Sequence, residues 1–144
     1  MRGEVRVKKD TEVTPEEIEA NHIILFGDPG SNSVLARVLK ELPLGWTQDK
    51  VDLAGAYRAD LHAPVLIAPN PLNARRYVVV NSGHTFGANE FTHTNALLFP
   101  HLGDYAVIQV DGTSGVTKTS GFFDESWKLK TPVAVKEETK KSKP

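Results

Sequence analysis

Apolar and polar residues come in blocks along this chain. His22-Ile23-Ile24-Leu25-Phe26, Pro64-Val65-Leu66-Ile67-Ala68 and Tyr77-Val78-Val79-Val80 are apolar almost without interruption, the pattern of strands covered on both faces. A polar, turn-forming patch follows each: Asp28-Pro29-Gly30-Ser31-Asn32, then Asn70-Pro71-Leu72-Asn73, then Asn81-Ser82-Gly83-His84. Between residues 33 and 42 the period changes. Val34, Leu35, Val38, Leu39 and Leu42 fall on one stripe, which predicts an amphipathic helix over Ser33–Leu42, stopped by Pro43. Strand, tight loop and helix form the first part of a βαβ unit.

Upstream, Thr14-Pro15-Glu16-Glu17 carries an N-cap, a proline suited to the first helical position and the glutamate of a capping box, so a short helix is expected to about Ala20. Downstream, Val51–Tyr57 reads as a short strand or hairpin around Gly55. Tyr105–Val110 reads as a further strand and Val116–Phe123 as another at an edge, with a helix expected around Ala88–Leu97. The expected fold is therefore three-layer α/β, flavodoxin-like or related, with a mixed sheet of five or six strands and helices on its faces.

One spacing limits this picture. Only eight residues separate Ala68 from Tyr77, whereas parallel neighbours need a crossover of about a dozen or more. These two strands either pair antiparallel or are not neighbours. In an antiparallel pair the carboxyl ends point opposite ways, which splits the three patches.

The 144 residues fit one domain. Residues 1–13 are expected to be a linker or flexible N-terminus, 14–130 a single α/β domain and 131–144 a flexible basic tail. Six lysines against two glutamates give residues 128–144 a charge of +4, and the net −1 of the whole leaves −5 on the rest. A basic tail on an acidic body is not a nucleic-acid footprint. No apolar run reaches the roughly 18 residues of a membrane span, and the charged first ten residues lack the apolar core of a signal sequence. Cysteine is absent, which excludes disulfides, thiol catalysis and Cys-ligated metals.

Motif tests remove several chemistries. No Gly-Lys-Ser/Thr tripeptide completes a P-loop, and Gly27 and Gly30 lack the third glycine of a dinucleotide fingerprint. Ile24-Leu25-Phe26-Gly27-Asp28 resembles the opening strand of the Gly-Asp-Ser-Leu esterases, but Pro29 stands where the nucleophile belongs. Asp60-Leu61-His62 has the wrong spacing for the partner motif, and no Gly-x-Ser-x-Gly elbow occurs. His84, His93 and His101 with Asp104 match no metal-ligand spacing. Trp46, Phe86, Phe91, Phe122, Phe123 and Trp127 suit a sugar platform, although core and edge packing is the more ordinary role of such rings. No metal site and no cofactor is expected.

Three segments carry a resemblance: Asn21 through Asn32, Pro69 through Gly83, and Gly121-Phe122-Phe123-Asp124-Glu125-Ser126-Trp127. Across about Asp10 to Leu129 the chain resembles a C-terminal accessory domain that follows the catalytic α/β-hydrolase domain in large bacterial prolyl-oligopeptidase-like or esterase-like proteins. The resemblance implies a partner, the catalytic α/β-hydrolase domain, in which the Ser-His-Asp machinery resides. It implies no catalytic residue here. Parents of this kind are often exported, which leaves localisation open.

Two functions are weighed. The first is a non-catalytic interaction domain that docks on the hydrolase or shapes access to it. The second is a small-ligand or hydrolytic domain using the loop ends. Its candidate residues are Asp28, Gly30, Ser31 and Asn32 of the first patch, Asn70 and Asn73 of the second, and Asn81, Ser82 and His84 of the third. A small anion is the ligand expected at the glycine loop and helix start, where free amides and the helix dipole favour negative charge. The destination of these side chains' hydrogen bonds separates the two functions.

Overall fold

A computed structural model describes residues 6–82, 103–111 and 114–130. Two long strands, β5 (His62–Asn70) and β6 (Asn73–Asn81), form its centre. They are a hairpin across Pro71-Leu72, in antiparallel register from Val65 opposite Asn81 to Ala68 opposite Val78, with a shift at Pro69/Asn70. The short connection leaves no room for a crossover, so the pair is antiparallel.

β7 (Tyr105–Asp111) lies antiparallel on the free side of β5, and β8 (Ser114–Gly121) pairs with β7 at the sheet's edge. β1 (Ile23–Phe26) forms the opposite edge, parallel to β6, with Ile23 beside Val78 and Phe26 beside Asn81. The order β1-β6-β5-β7-β8 makes a mixed five-stranded sheet. A second, antiparallel sheet is built from β2 (Gly45–Trp46), β3 (Lys50–Asp52) and β4 (Ala56–Arg58).

The three-layer, flavodoxin-like expectation is corrected here. The described helices are α1 (Pro15–Ala20) and α2 (Ser33–Val38), six residues each. A helix of that size is about 9 Å long, against about 30 Å for a nine-residue strand. It cannot cover a sheet face. The stripe that predicts a helix to Leu42 is correct about burial, but α-helical winding ends at Val38 and a 3-10 turn, Leu39–Glu41, completes it. The small β-sheet does the covering expected of helices. Val34, Leu35 and Val38 of α2 join Val51 of the small sheet and Leu53 just after it over Leu25, Leu66, Ala68, Val78, Val80 and Val107 of the large one.

Burial on both faces of β1 is likewise overturned. Leu25 points into this core, while Ile24 and Phe26 on the other face are 53% and 57% exposed. The expected helix around Ala88–Leu97 and the tail from residue 131 lie outside the described residues.

The capping box of α1 forms as its sequence requires: Thr14 Oγ1 accepts from Glu17 N, and Glu17 Oε2 accepts from Thr14 N. Before it, Val13 packs against the core and the Asp10 carboxylate reaches α2. No described helix is long and apolar enough to cross a membrane.

Candidate functional site

Strand direction divides the three polar patches. β1 and β6 run parallel and end side by side, so the Asp28–Asn32 loop and Asn81-Ser82 share one end of the sheet. β5 runs the other way, and Asn70 and Asn73 lie at the far end. His84 lies outside the described residues. A single rim holding all three patches is therefore not what this topology builds.

The polar side chains of the first loop are engaged locally. Gly27 sits at φ +91°, where a side chain is strained and where a Cβ would press on Ser31 Oγ. Asp28 Oδ1 accepts from Gly30 N at 2.7 Å and Ser31 N at 3.0 Å. Ser31 Oγ accepts from Asp28 N at 3.0 Å and donates to Asp28 O at 3.2 Å. Asn32 caps α2 through Leu35 N at 2.9 Å and donates to Phe26 O at 3.0 Å. These are the bonds of a closed Asx-type turn and an N-cap.

A serine nucleophile needs a base within hydrogen-bond reach. The described histidines are engaged elsewhere: His22 Nδ1 accepts from Tyr77 N, and His62 Nδ1 meets Arg58 O. The start of α2 is also occupied. Ser33 N donates to Asp10 Oδ2 at 2.7 Å, and hydrogen bonds from Ser33 hold the Asp10 carboxyl below its ordinary range. A carboxylate of the chain itself thus stands where an external anion would bind.

At the far end, Asn70 Oδ1 accepts from Leu72 N and Asn73 Oδ1 from Arg75 N, so both asparagines shape the hairpin turn. Asn73 Nδ2 also donates to Glu19 O, tying α1 to β6. Ser82 Oγ donates to Pro64 O. Two buried atoms, Asn70 Nδ2 and Asn81 Oδ1, have no partner among the described residues.

An open cleft of about 650 Å³ lies beside the shared end of β1 and β6. Its walls are the Gly27–Gly30 loop, Trp46–Gln48 from the small sheet, Asp60 and His62 before and at the start of β5, and Ser82. Of the eight described residues expected in a site, Asp28, Gly30 and Ser82 reach it. Trp46, Gln48, Asp60 and His62 were not among them. Trp46 is weighed for a sugar platform and Asp60 and His62 for an esterase motif, but it is the packing of the small sheet against the large one that brings these four residues into one cleft. Asp60 is tied through both carboxylate oxygens to Arg58, and that bond lowers the Asp60 carboxyl and raises the guanidinium. Among the described residues, no three His, Asp or Glu side chains gather into a metal-ligand set. A smaller hollow of about 410 Å³ at the far end has Glu16 and Glu19 facing Arg75 and Arg76.

No family model, curated protein or solved structure matches the chain. The residues and their geometry are therefore the basis for any functional reading.

Proposed function

We propose that the chain is a non-catalytic interaction domain that docks on, or shapes access to, the catalytic domain of a serine hydrolase of peptidase or esterase type. The supporting observation is where the loop side chains bond. Asp28, Ser31, Asn32, Asn73 and Ser82 all hydrogen-bond to nearby backbone, which is the behaviour of turn builders rather than of a poised nucleophile and its base. The class of partner comes from the sequence resemblance. The face of β1 that carries the exposed Ile24 and Phe26, with Tyr77 42% exposed on neighbouring β6, is a surface for it.

The test has two arms. The chain alone is assayed against p-nitrophenyl esters and peptidyl anilides, with no turnover expected; turnover that disappears in Ser31→Ala sinks the reading. The chain is then mixed with a bacterial α/β-hydrolase domain of the prolyl-oligopeptidase-like type. A complex on gel filtration, weakened by Phe26→Asp, is expected. A hydrolase whose elution and KM ignore the chain would also count against the proposal.

A further inference from the structure

The cleft at the shared end of β1 and β6 has a volume within the range of small-molecule sites, about 300–1,000 Å³, and a chemistry that is not neutral in its preferences. Among the described residues its lining includes two carboxylates, Asp28 and Asp60, and no lysine or arginine. Asp60 is compensated by Arg58. Asp28 is not: both amides that reach it bond to Oδ1, and no hydrogen bond among the described residues reaches Oδ2.

The remaining polar groups also lean one way. The ring nitrogen Nδ1 of His62 lies 2.9 Å from Arg58 O. A carbonyl only accepts, so the proton of the neutral ring is on Nδ1 and Nε2 keeps its lone pair. Ser82 Oγ uses its proton on Pro64 O, which leaves that oxygen as an acceptor. Thr47 Oγ1 accepts from Lys50 N. Gln48, with its amide, and Trp46, with its indole N–H, are the described lining side chains with N–H protons to offer. The cleft is thus rich in acceptors and poor in donors.

Trp46 lines the same cleft as the Asp28 loop and is half-buried, packed against the hydrophobic core. An aromatic side chain and an uncompensated carboxylate in one cleft suit a ligand cation, which gains from both the charge and the ring face. The −5 charge on residues 1–127 adds a favourable long-range field.

We propose that this cleft binds a small organic cation, an alkylammonium or guanidinium group, with Asp28 Oδ2 as counter-ion and the Trp46 indole as apolar wall. The site is separate from the exposed face of β1, so the hydrolase-docking proposal can fail while this one stands.

The test follows Trp46 fluorescence in a Trp127→Phe background, with agmatine, butylamine and Nα-acetyl-lysine amide as probes. Saturable shifts that weaken with added salt and about tenfold in Asp28→Asn are expected. The asparagine retains the Oδ1 acceptor for Gly30 and Ser31, so its turn is kept and its circular dichroism should match the parent. Tighter binding of the lysine amide than of butylamine would point to a peptide side chain as the natural source, and the reverse to a free amine. In Trp46→Leu, the amide resonances of Gly27, Asp28 and Gly30 give an independent NMR readout, with weaker amine-induced shifts expected. The proposal is overturned by absence of any shift up to about 10 mM amine. Agmatine binding indifferent to Asp28→Asn, or maltose binding as well as the amines do, would overturn it too.

Discussion

The amide of Tyr77 donates to Nδ1 of His22 at 2.9 Å, and the two rings stack with centroids 5.6 Å apart and planes 24° from parallel. One side chain thereby fastens the start of β1 to β6 twice, through a backbone hydrogen bond and through ring contact. His22→Phe keeps the ring and removes the acceptor, and it is expected to cost about 1 kcal/mol in urea unfolding. His22→Ala loses both contacts and should cost more. Equal effects of the two variants would mean that the acceptor contributes nothing.

Asp124 folds the loop after Phe123. Its Oδ1 accepts from Ser126 N at 2.8 Å and Lys128 N at 2.9 Å, and the loop holds Trp127 at φ +59° against Tyr77 and Phe123. Hydrogen bonds from the Lys128 amide, then that of Ser126, keep the Asp124 carboxyl below its ordinary value. A depressed folded value means that the stabilisation is complete above the unfolded pKa and is lost as pH falls through the folded one. Trp127 fluorescence, read in a Trp46→Phe background, should change on acidification below about pH 4. Asp124→Asn, which retains Oδ1 without a titratable proton, should abolish that step.

Two glycines should differ in how far they tolerate alanine. Gly103 has φ +70°, and a Cβ there would collide with the backbone carbonyl of Gly121. Gly103→Ala is expected to cost about 2 kcal/mol or more in unfolding free energy. At Gly30 the added carbon would sit 3.1 Å from Asp28 Oδ1, a contact that a small shift of one carboxylate relieves. Gly30→Ala should stay within about 0.5 kcal/mol of the parent.

The two faces of the large sheet give a further contrast. Leu35 is fully buried in the core between α2 and the sheet, so Leu35→Ala should cost about 2–5 kcal/mol. Phe26, 57% exposed, should tolerate Phe26→Asp with a loss of less than about 1 kcal/mol. Thermal unfolding of the pair compares them directly. A large loss at Phe26 would show that this face serves the fold itself.

The strands were readable because their apolar runs are long enough to show. The eight residues between Ala68 and Tyr77 also restricted how those two strands can pair, and the structure makes them an antiparallel hairpin. The burial stripe from Val34 to Leu42 identified core-facing residues, but a stripe does not specify winding, and the backbone changes from α to 3-10 after Val38. Part of the small sheet is legible: Val51–Tyr57 reads as a short strand or hairpin around Gly55, and β3 pairs antiparallel with β4 across that glycine. Its remaining strand, the two-residue Gly45–Trp46, is shorter than any alternation pattern. The pattern does not show that this sheet packs on the large one, where helices are expected, nor that the packing brings Trp46 and Gln48 to the cleft. Asp28 and Gly30 could be placed near a site from their position after β1. Their neighbours His62 and Asp60 required the antiparallel course of β5, which brings the start of that strand beside the end of β6.

The parallel pairing of β1 with β6 has a consequence for synthesis. Ile23 finds its partner in Val78, 55 positions later, so the chain cannot close this edge as it emerges. At about 5–20 residues per second, β1 waits roughly 3–11 s for its neighbour, while the β5–β6 hairpin can close as soon as residue 81 appears. Long-range pairing of this kind is slow because the loop must be closed before any contact rewards it. β1 thus stays unpaired until β6 is complete, and Ile24 and Phe26 are available to a chaperone or a neighbouring nascent chain throughout that interval.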